Sequence, residues 1–194
     1  MVRAEAVEPP VPGGQEPKRP PYYGAAVVAV GQVVVREVRA ESGELYAFHR
    51  LRLPDGTSFP LPRVHRGRPL SELIGERLLV QYWPRTDEGG LLAKTLRLGK
   101  LRPAGEEALE RPRFRAQGRV AFVDREEGRF GLLVRPNPGG RLKEPFTLTL
   151  WAPLSLLEGL SLGSGVYAEG EVRLKTRRLV VRRVEPVRLW DDPA

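Results

Sequence analysis

The chain of 194 residues contains no cysteine, one methionine and only two histidines, His49 and His65. Without cysteine it has no disulfide framework, no thiolate metal site and no cysteine nucleophile, and two histidines are too few for a multi-histidine metal centre. No apolar run approaches the roughly 18 residues that a transmembrane helix needs. The N-terminus lacks the apolar core of a signal peptide. We therefore expect a soluble, cytoplasmic protein with no metal, no cofactor and no membrane partner.

Catalytic signatures are also scarce. The acidic pair Asp87-Glu88 lies in a turn, where adjacent side chains point apart and suit general acid–base catalysis poorly. No phosphate-binding loop of the G-x-x-x-x-G-K-[ST] type occurs. Ser71 and Ser155 precede helix-forming residues, which predicts helix N-caps rather than nucleophiles. The sequence therefore predicts that the protein is not an enzyme, since an enzyme would need a second chain to supply the missing chemistry.

Arginine, in contrast, is abundant. The chain has 27 arginines, five lysines and a formal net charge of +8. Abundant charge combined with few asparagines, glutamines and methionines is typical of thermophile proteins. A GC-rich genome also raises the ratio of arginine to lysine, so only the placement of the arginines indicates a function.

Composition divides the chain into two halves. The start of the chain is rich in proline and poor in aliphatic residues, which predicts a flexible tail, and the segment PAGEEALERP predicts a linker. The basic residues outnumber the acidic ones by 13 to 8 in residues 24–102 and by 16 to 8 in residues 111–190. The expected division is a tail, a first domain, a linker, a second domain and a C-terminal tail: 1–23, 24–102, 103–112, 113–190 and 191–194.

The two halves resemble each other. Residues 31–53 and 118–136 each contain a glycine, a β-branched run, a charged turn with glycine and a second strand pattern. The segment PLSELIG at 69–75 later parallels PLSLLEG at 153–159. Two matches in the same order, at offsets of 87 and 84 residues, predict a tandem repeat.

Alternating hydrophobicity and β-branched runs predict strands throughout both halves. A glycine near the centre of the first strand of each half, Gly31 or Gly118, marks a bend. Short helical inserts are expected at 69–75 and 153–162. The predicted strands are 25–38, 45–53, 58–64, 78–83 and 91–98 in the first half, and 114–123, 129–135, 145–151, 166–173 and 177–187 in the second.

A long, bent first strand and a helix between the third and fourth strands resemble the OB-fold, a five-stranded Greek-key barrel. The resemblance covers residues 25–102 and 113–190 and concerns architecture, because no motif is diagnostic of one family. It implies an all-β protein of two tandem five-stranded OB-like Greek-key barrels with short helical inserts. Small SH3-like barrels and other β-meander domains are the alternatives.

The OB-fold resemblance implies a binding surface on the second and third strands, where single-stranded nucleic acid contacts basic side chains and stacked aromatics. Alternation in 45–53 places His49 on an apolar face and the basic and aromatic side chains on the outward face. A shift of one residue would exchange the two faces and bury the aromatics in the core. The candidate binding residues of the first half are Tyr46, Phe48, Arg50, Arg52, Arg63, His65, Arg66, Arg68, Trp83 and Arg85.

In the second half, period-two alternation places a row of arginines opposite an apolar row that runs from Phe114 to Phe122. A charged strand face is either merely solvated or a polyanion site, and the positive net charge favours the polyanion. The candidate binding residues of the second half are Arg113, Arg115, Arg119, Arg129, Arg135, Arg141, Lys143 and Trp151.

Together these features predict a non-enzymatic protein that binds single-stranded DNA or RNA. Arginines would neutralise phosphates and aromatic side chains would stack on bases. The alternative is a structural or adaptor subunit of a larger complex, because OB-like barrels also bind proteins and the fold does not decide the function. The proline-rich tail or an exposed edge strand would then dock the protein partner.

Overall fold

The computed structural model describes residues 19–106 and 111–194. Nearly all regular structure in them is β-strand, which confirms the all-β prediction. No helix of the described residues is long and apolar enough to cross a membrane. The strands, in chain order, are β1 (Gly24–Arg39), β2 (Leu45–Arg52), β3 (Ser58–Pro60), β4 (Val64–His65), β5 (Arg68–Pro69), β6 (Arg77–Trp83), β7 (Arg97–Pro103), β8 (Arg113–Asp124), β9 (Arg129–Val134), β10 (Phe146–Trp151), β11 (Gly165–Arg173) and β12 (Arg178–Pro186).

Each half is organised around a long first strand that pairs with three neighbours, all antiparallel. Strand β1 pairs with β8 near its start, with β6 in its middle and with β2 towards its end. Strand β8 pairs in the same way with β1, β11 and β9. Because β1 and β8 pair with each other through residues 24–28 and 113–117, the two halves share one continuous sheet.

The remaining pairings differ between the halves. In the second half they run from β8 through β9 and β10 to β12, then through β11 back to β8. The β10–β12 step is parallel and joins Trp151 to Val180. In the first half the described pairings run in the order β3, β2, β1, β6 and β7.

The two predicted strand glycines allow β1 and β8 to bend against their neighbours. A Cβ added at Gly31 would lie 2.5 Å from the carbonyl oxygen of Arg52, and one added at Gly118 would lie 2.5 Å from that of Leu133. Arg52 pairs with Gln32, and Leu133 pairs with Arg119. The two glycines therefore occupy equivalent positions.

One core cluster runs through both halves. In the first half, Phe59 and Tyr82 stack with ring centroids 5.0 Å apart, and the Tyr82 hydroxyl donates to the carbonyl oxygen of Pro60. In the second half, Phe130, Leu132 and Leu150 are fully buried. Burial raises the pKa of Tyr82, so this hydroxyl stays protonated and keeps its hydrogen bond.

The structure corrects the predicted end of the first half. Residues 91–98 were expected to form its last strand, whereas β7 begins at Arg97 and residues 84–96 form a long loop. Besides hydrogen bonds within its own turn, that loop makes hydrogen bonds to the second half. An isolated bridge between Thr86 and Leu92 is the strand pairing it retains.

Two smaller predictions were also wrong. The helical inserts are a 3₁₀ turn (Leu70–Leu73) and a short helix α1 (Leu154–Leu157), with prolines at their N-caps, so Ser71 and Ser155 lie inside them and cap neither. Phe122 leaves the apolar row of β8, because a bulge between Val120 and Phe122 shifts the register. Its ring consequently packs on Gly131, on the outer side of the sheet.

We expect Gly31→Ala and Gly118→Ala each to destabilise the fold by about 1–3 kcal/mol, because the new methyl group overpacks against a carbonyl oxygen. Urea unfolding measures this loss. The matched control is Gly24→Ala in the same strand, where an added Cβ meets nothing within 4 Å. Equal stability of Gly31→Ala and Gly24→Ala would contradict the proposed close approach.

Candidate functional site

The hairpin of β1 and β2 extends past the core and exposes an aromatic and basic face. Tyr46 and Phe48 retain 40% and 49% of their accessible surface. Arg36 lies directly opposite Phe48 in the register, and directly opposed residues share a face of the sheet. We call this surface the outer hairpin face; it comprises Arg36, Tyr46, Phe48, Arg50 and Arg52.

Neighbouring polar groups orient two of its arginines. Arg50 donates from Nε to the Ser58 hydroxyl at 2.6 Å and from Nη2 to the Ser58 carbonyl at 3.0 Å. Arg52 donates from Nη2 to the side-chain oxygen of Gln32 at 2.8 Å. A guanidinium has five N–H donors, so both arginines keep donors for an anion.

Along β2, every second side chain lies on the outer hairpin face. Side chains two residues apart on one face of a strand are separated by about 6.8 Å, so Tyr46, Phe48 and Arg50 form an evenly spaced row. Tyr46 donates its hydroxyl to Glu44 at 2.7 Å, and this hydrogen bond raises the pKa of Tyr46. The row presents neutral aromatic rings beside permanent cations.

A second group of candidates lines a basic groove. Strands β4 and β5 form a hairpin whose turn residues, Arg66 and Gly67, both have positive φ, as a type I′ turn requires. Burial and the neighbouring Arg66 lower the pKa of His65, which leaves this imidazole mostly neutral at pH 7. The cationic residues of the groove are Arg66, Arg68, Lys100 and Arg102.

Trp83 lies far from the outer hairpin face. Its neighbour Tyr82 pairs with Val27, whereas Phe48 pairs with Arg36. Nine residues of β1, which bends at Gly31 between them, separate these two levels. The Trp83 ring is half-buried beneath the Arg97 guanidinium, at 5.2 Å from the ring centroid.

Two arginines of the second half are tied to the C-terminus. Arg119 donates to Asp191 at 2.7 Å and to Asp192 at 2.6 Å, and Arg135 donates to Asp191 at 3.0 Å. Tyr23 also donates its hydroxyl to Asp191. Burial alone would raise the pKa of Asp191, but the hydrogen bonds from Tyr23, Arg119 and Arg135 outweigh it and hold the pKa below its usual range.

The other charged candidates belong to β8 or to loops. Arg113 and Arg115 are exposed on β8, opposite Glu171 and Glu169 of β11, so acidic groups offset part of their charge. The remaining three candidates are exposed and lie outside the strands: Arg63, Arg141 and Lys143.

Three candidates are engaged at the contact between the halves. Trp151 is only 9% exposed, its indole N–H donates to the carbonyl oxygen of Gly90, and the Arg178 guanidinium lies 3.9 Å from its ring centroid. Arg129 donates to Asp124 and to the carbonyl oxygen of Gly89. The Arg85 guanidinium stacks over Phe146 at 3.4 Å. None of the three reaches the outer hairpin face.

Sequence reasoning missed Arg36, Lys100 and Arg102. The alternation that places Val34, Arg36 and Val38 on one side of β1 would have identified Arg36. Lys100 and Arg102 lie on β7 (Arg97–Pro103), whereas the sequence pattern predicts this strand at residues 91–98. In residues 19–106 and 111–194, no three histidine, aspartate or glutamate side chains gather where they could hold a metal ion.

Comparison with known proteins relates the fold to solved structures. No protein-family profile and no curated protein sequence matches the chain. The wild-type single-stranded DNA binding protein from Thermus aquaticus matches with 16% identity and a TM-score of 0.50, over 89% of this chain and 97% of that chain. A deletion mutant of that protein with one substitution matches with 18% identity and a TM-score of 0.49, over 89% and 98%. The wild-type match confirms the OB-fold resemblance at the level of architecture.

We expect Asp191→Asn to cost about 2 kcal/mol at pH 7, because hydrogen bonds to a charged partner are lost. A carboxylate with a lowered pKa stabilises the fold above its unfolded-state pKa, and this stabilisation is lost as the pH falls through the folded-state value. The difference from the wild type should therefore shrink below about pH 4.

Urea unfolding of the wild type and Asp191→Asn at pH 7 and pH 3 measures the loss of stability at each pH. The control is Glu88→Gln, which neutralises an exposed acid in the loop between β6 and β7. A loss of stability that is the same at both pH values would show that the charge of Asp191 contributes nothing.

Proposed function

We propose that the protein binds single-stranded DNA on the outer hairpin face and has no catalytic activity. The observation that carries this proposal is the exposure of Tyr46 and Phe48 beside Arg36, Arg50 and Arg52 on one face of one hairpin. Large exposed aromatics interleaved with arginines suit base stacking combined with phosphate neutralisation. The wild-type Thermus aquaticus protein, whose fold is similar, is a single-stranded DNA binding protein, which supports the same choice of ligand.

The proposed architecture is a pair of OB-like barrels in tandem. In residues 113–190 the strand pairings return to their starting strand and include the parallel β10–β12 step, which supports a closed barrel. Residues 24–102 would form the first barrel. The linker 103–112 would join them; its residues 107–110 lie outside the described part of the chain, as do residues 1–18 of the expected tail.

Two kinds of side chain would contact the DNA. Bases would stack on Tyr46 and Phe48, whose rings accept any base, so binding would depend little on sequence. Arg36, Arg50 and Arg52 would pair with phosphates. The net charge of +8 would accelerate encounter with a polyanion through long-range attraction.

Salt dependence tests the electrostatic part. Three phosphate contacts predict a slope of about −2 for the logarithm of affinity against the logarithm of salt concentration, or about a 20-fold loss of affinity between 50 and 200 mM salt. Arg36→Gln should make that slope shallower by about 0.7. Fluorescence titration of an oligothymidylate measures both, with duplex DNA and RNA as competitors. Affinity that is independent of salt, or equal for duplex DNA, would contradict the proposal.

Aromatic truncation tests the stacking part. We expect Phe48→Ala to weaken oligothymidylate binding by about 1–3 kcal/mol, or about 5- to 150-fold, without unfolding the protein, because the ring is half exposed. The matched control is Leu45→Ala, which truncates an exposed side chain on the opposite face of the same strand. Equal affinities of the two variants would exclude stacking on Phe48. No binding at low salt would favour the adaptor alternative.

A further inference from the structure

The second half contains a face equivalent to the outer hairpin face. Gly31 and Gly118 make the same close approach, to the carbonyl oxygens of Arg52 and Leu133 respectively. Arg52 therefore corresponds to Leu133. Counting back along each strand in steps of two, Arg50 corresponds to Gly131 and Phe48 to Arg129. The next strand adds Thr149 and Trp151, which pair with Gly131 and Arg129. We call these five second-half residues the covered face: Arg129, Gly131, Leu133, Thr149 and Trp151.

Residues 84–96 of the first half, the loop between β6 and β7, contact the covered face at Arg129, Thr149 and Trp151, while the Phe122 ring of the second half packs on Gly131. The Thr149 amide donates to the Thr86 hydroxyl at 2.8 Å. Arg129 donates to the Gly89 carbonyl at 2.9 Å, and the Trp151 indole N–H donates to the Gly90 carbonyl at 3.0 Å. A guanidinium and an aromatic N–H are groups that bind phosphate and base oxygens, and here backbone carbonyls occupy both.

The same loop is fastened at both of its ends. Leu92 and Arg177 exchange two hydrogen bonds, from the Leu92 amide to the Arg177 carbonyl at 2.6 Å and from Arg177 Nε to the Leu92 carbonyl at 3.1 Å. Arg177 also forms an ion pair with Asp87 at 2.8 Å. Arg85 stacks on Phe146 at the start of the loop.

At Gly90 the loop approaches the covered face closely. It has a φ of +80°, and a Cβ there would lie 2.7 Å from Cγ2 of Thr149. Both the backbone conformation and the available space therefore require glycine. Gly89 differs, because its Cβ would meet only the Asp87 carboxylate at 3.4 Å and its φ is not in the left-handed region.

Within residues 19–106 and 111–194, no loop of the second half covers the outer hairpin face, where Tyr46 and Phe48 are exposed. The corresponding connection of the second half, between β11 and β12, spans only residues 174–177, and its Arg177 contacts the loop rather than the outer hairpin face. Tyr46 and Phe48 consequently remain exposed. The two equivalent faces differ in accessibility because of the lengths of these two connections.

We infer that the covered face is a second, latent site for single-stranded DNA, and that residues 84–96 keep it closed. This inference rests on the proposed function. In the closed state, of these two equivalent faces the outer hairpin face alone is open to DNA. Release of the loop would expose the Trp151 ring between Arg129 and Arg178, which is the combination of stacking surface and cations that single strands use.

Two variants should release the loop. Gly90→Ala introduces a clash with Thr149 together with backbone strain, and Asp87→Ala removes the ion pair with Arg177. The matched control is Gly89→Ala, one residue away. Hydrogen exchange at the Thr149 amide, without DNA, reports release directly, and we expect it to be at least about tenfold faster in Gly90→Ala than in the control, since the amide loses its bond to Thr86.

Titration with polythymidylate at low salt then counts the nucleotides occluded by each chain. We expect Gly90→Ala to occlude about twice as many nucleotides per chain as the wild type or Gly89→Ala, because two faces rather than one would bind. Asp87→Ala should give a smaller increase over the wild type. Faster exchange with an unchanged number would overturn the latent site. Unchanged exchange in both variants would overturn the closing role of the loop.

The two proposals fail in different ways. If no variant and no wild-type protein bound polythymidylate, the proposed function would fail together with the latent site, while the exchange rates would still decide whether the loop is docked. If the wild type bound and lost affinity on Phe48→Ala, the proposed function would stand whatever the result for Gly90→Ala.

Discussion

The structure depends on two long strands, β1 and β8, each of which pairs with three neighbouring strands. A strand has only two edges, so β1 and β8 use one edge for two neighbours, and the chain bends where it passes from one neighbour to the next. The bend brings a carbonyl oxygen to a distance that leaves no room for a Cβ, which is why glycine stands at residues 31 and 118. The free start of each strand then pairs with the other, and this ladder holds the halves together.

The first strands of the two halves are equivalent in their pairing, but the faces beside them differ in exposure. The same register position carries Phe48 in the first half and Arg129 in the second, and both side chains point outward from the sheet. Residues 84–96 are long enough to reach across to the second half, whereas residues 174–177 are too few to return the contact. A difference in loop length therefore leaves the outer hairpin face open and closes the covered face at Arg129, Thr149 and Trp151.

The elements follow closely from local patterns. Alternation in β2 correctly separated Leu51 in the core from Phe48 outside, because successive strand side chains point to opposite faces. The sequence also made Trp151 a candidate binding residue, yet could not foresee that a loop 61 residues earlier covers it. The alternation rule failed at Phe122, because a bulge adds one residue to one strand and reverses the alternation beyond it.

The sequence by itself determined the all-β class, the bend positions and the concentration of arginine in the two halves, because strand propensity, glycine and charge are properties of short segments. Only the tertiary structure decided which arginines are available. Arg119 and Arg135 are bound by Asp191 near the C-terminus, Arg129 by a loop of the other half, and Arg50 is oriented by Ser58 with donors to spare. Apart from the contact between Arg50 and Ser58, which are eight residues apart, these contacts join residues distant in the chain, and no periodicity within either partner encodes them.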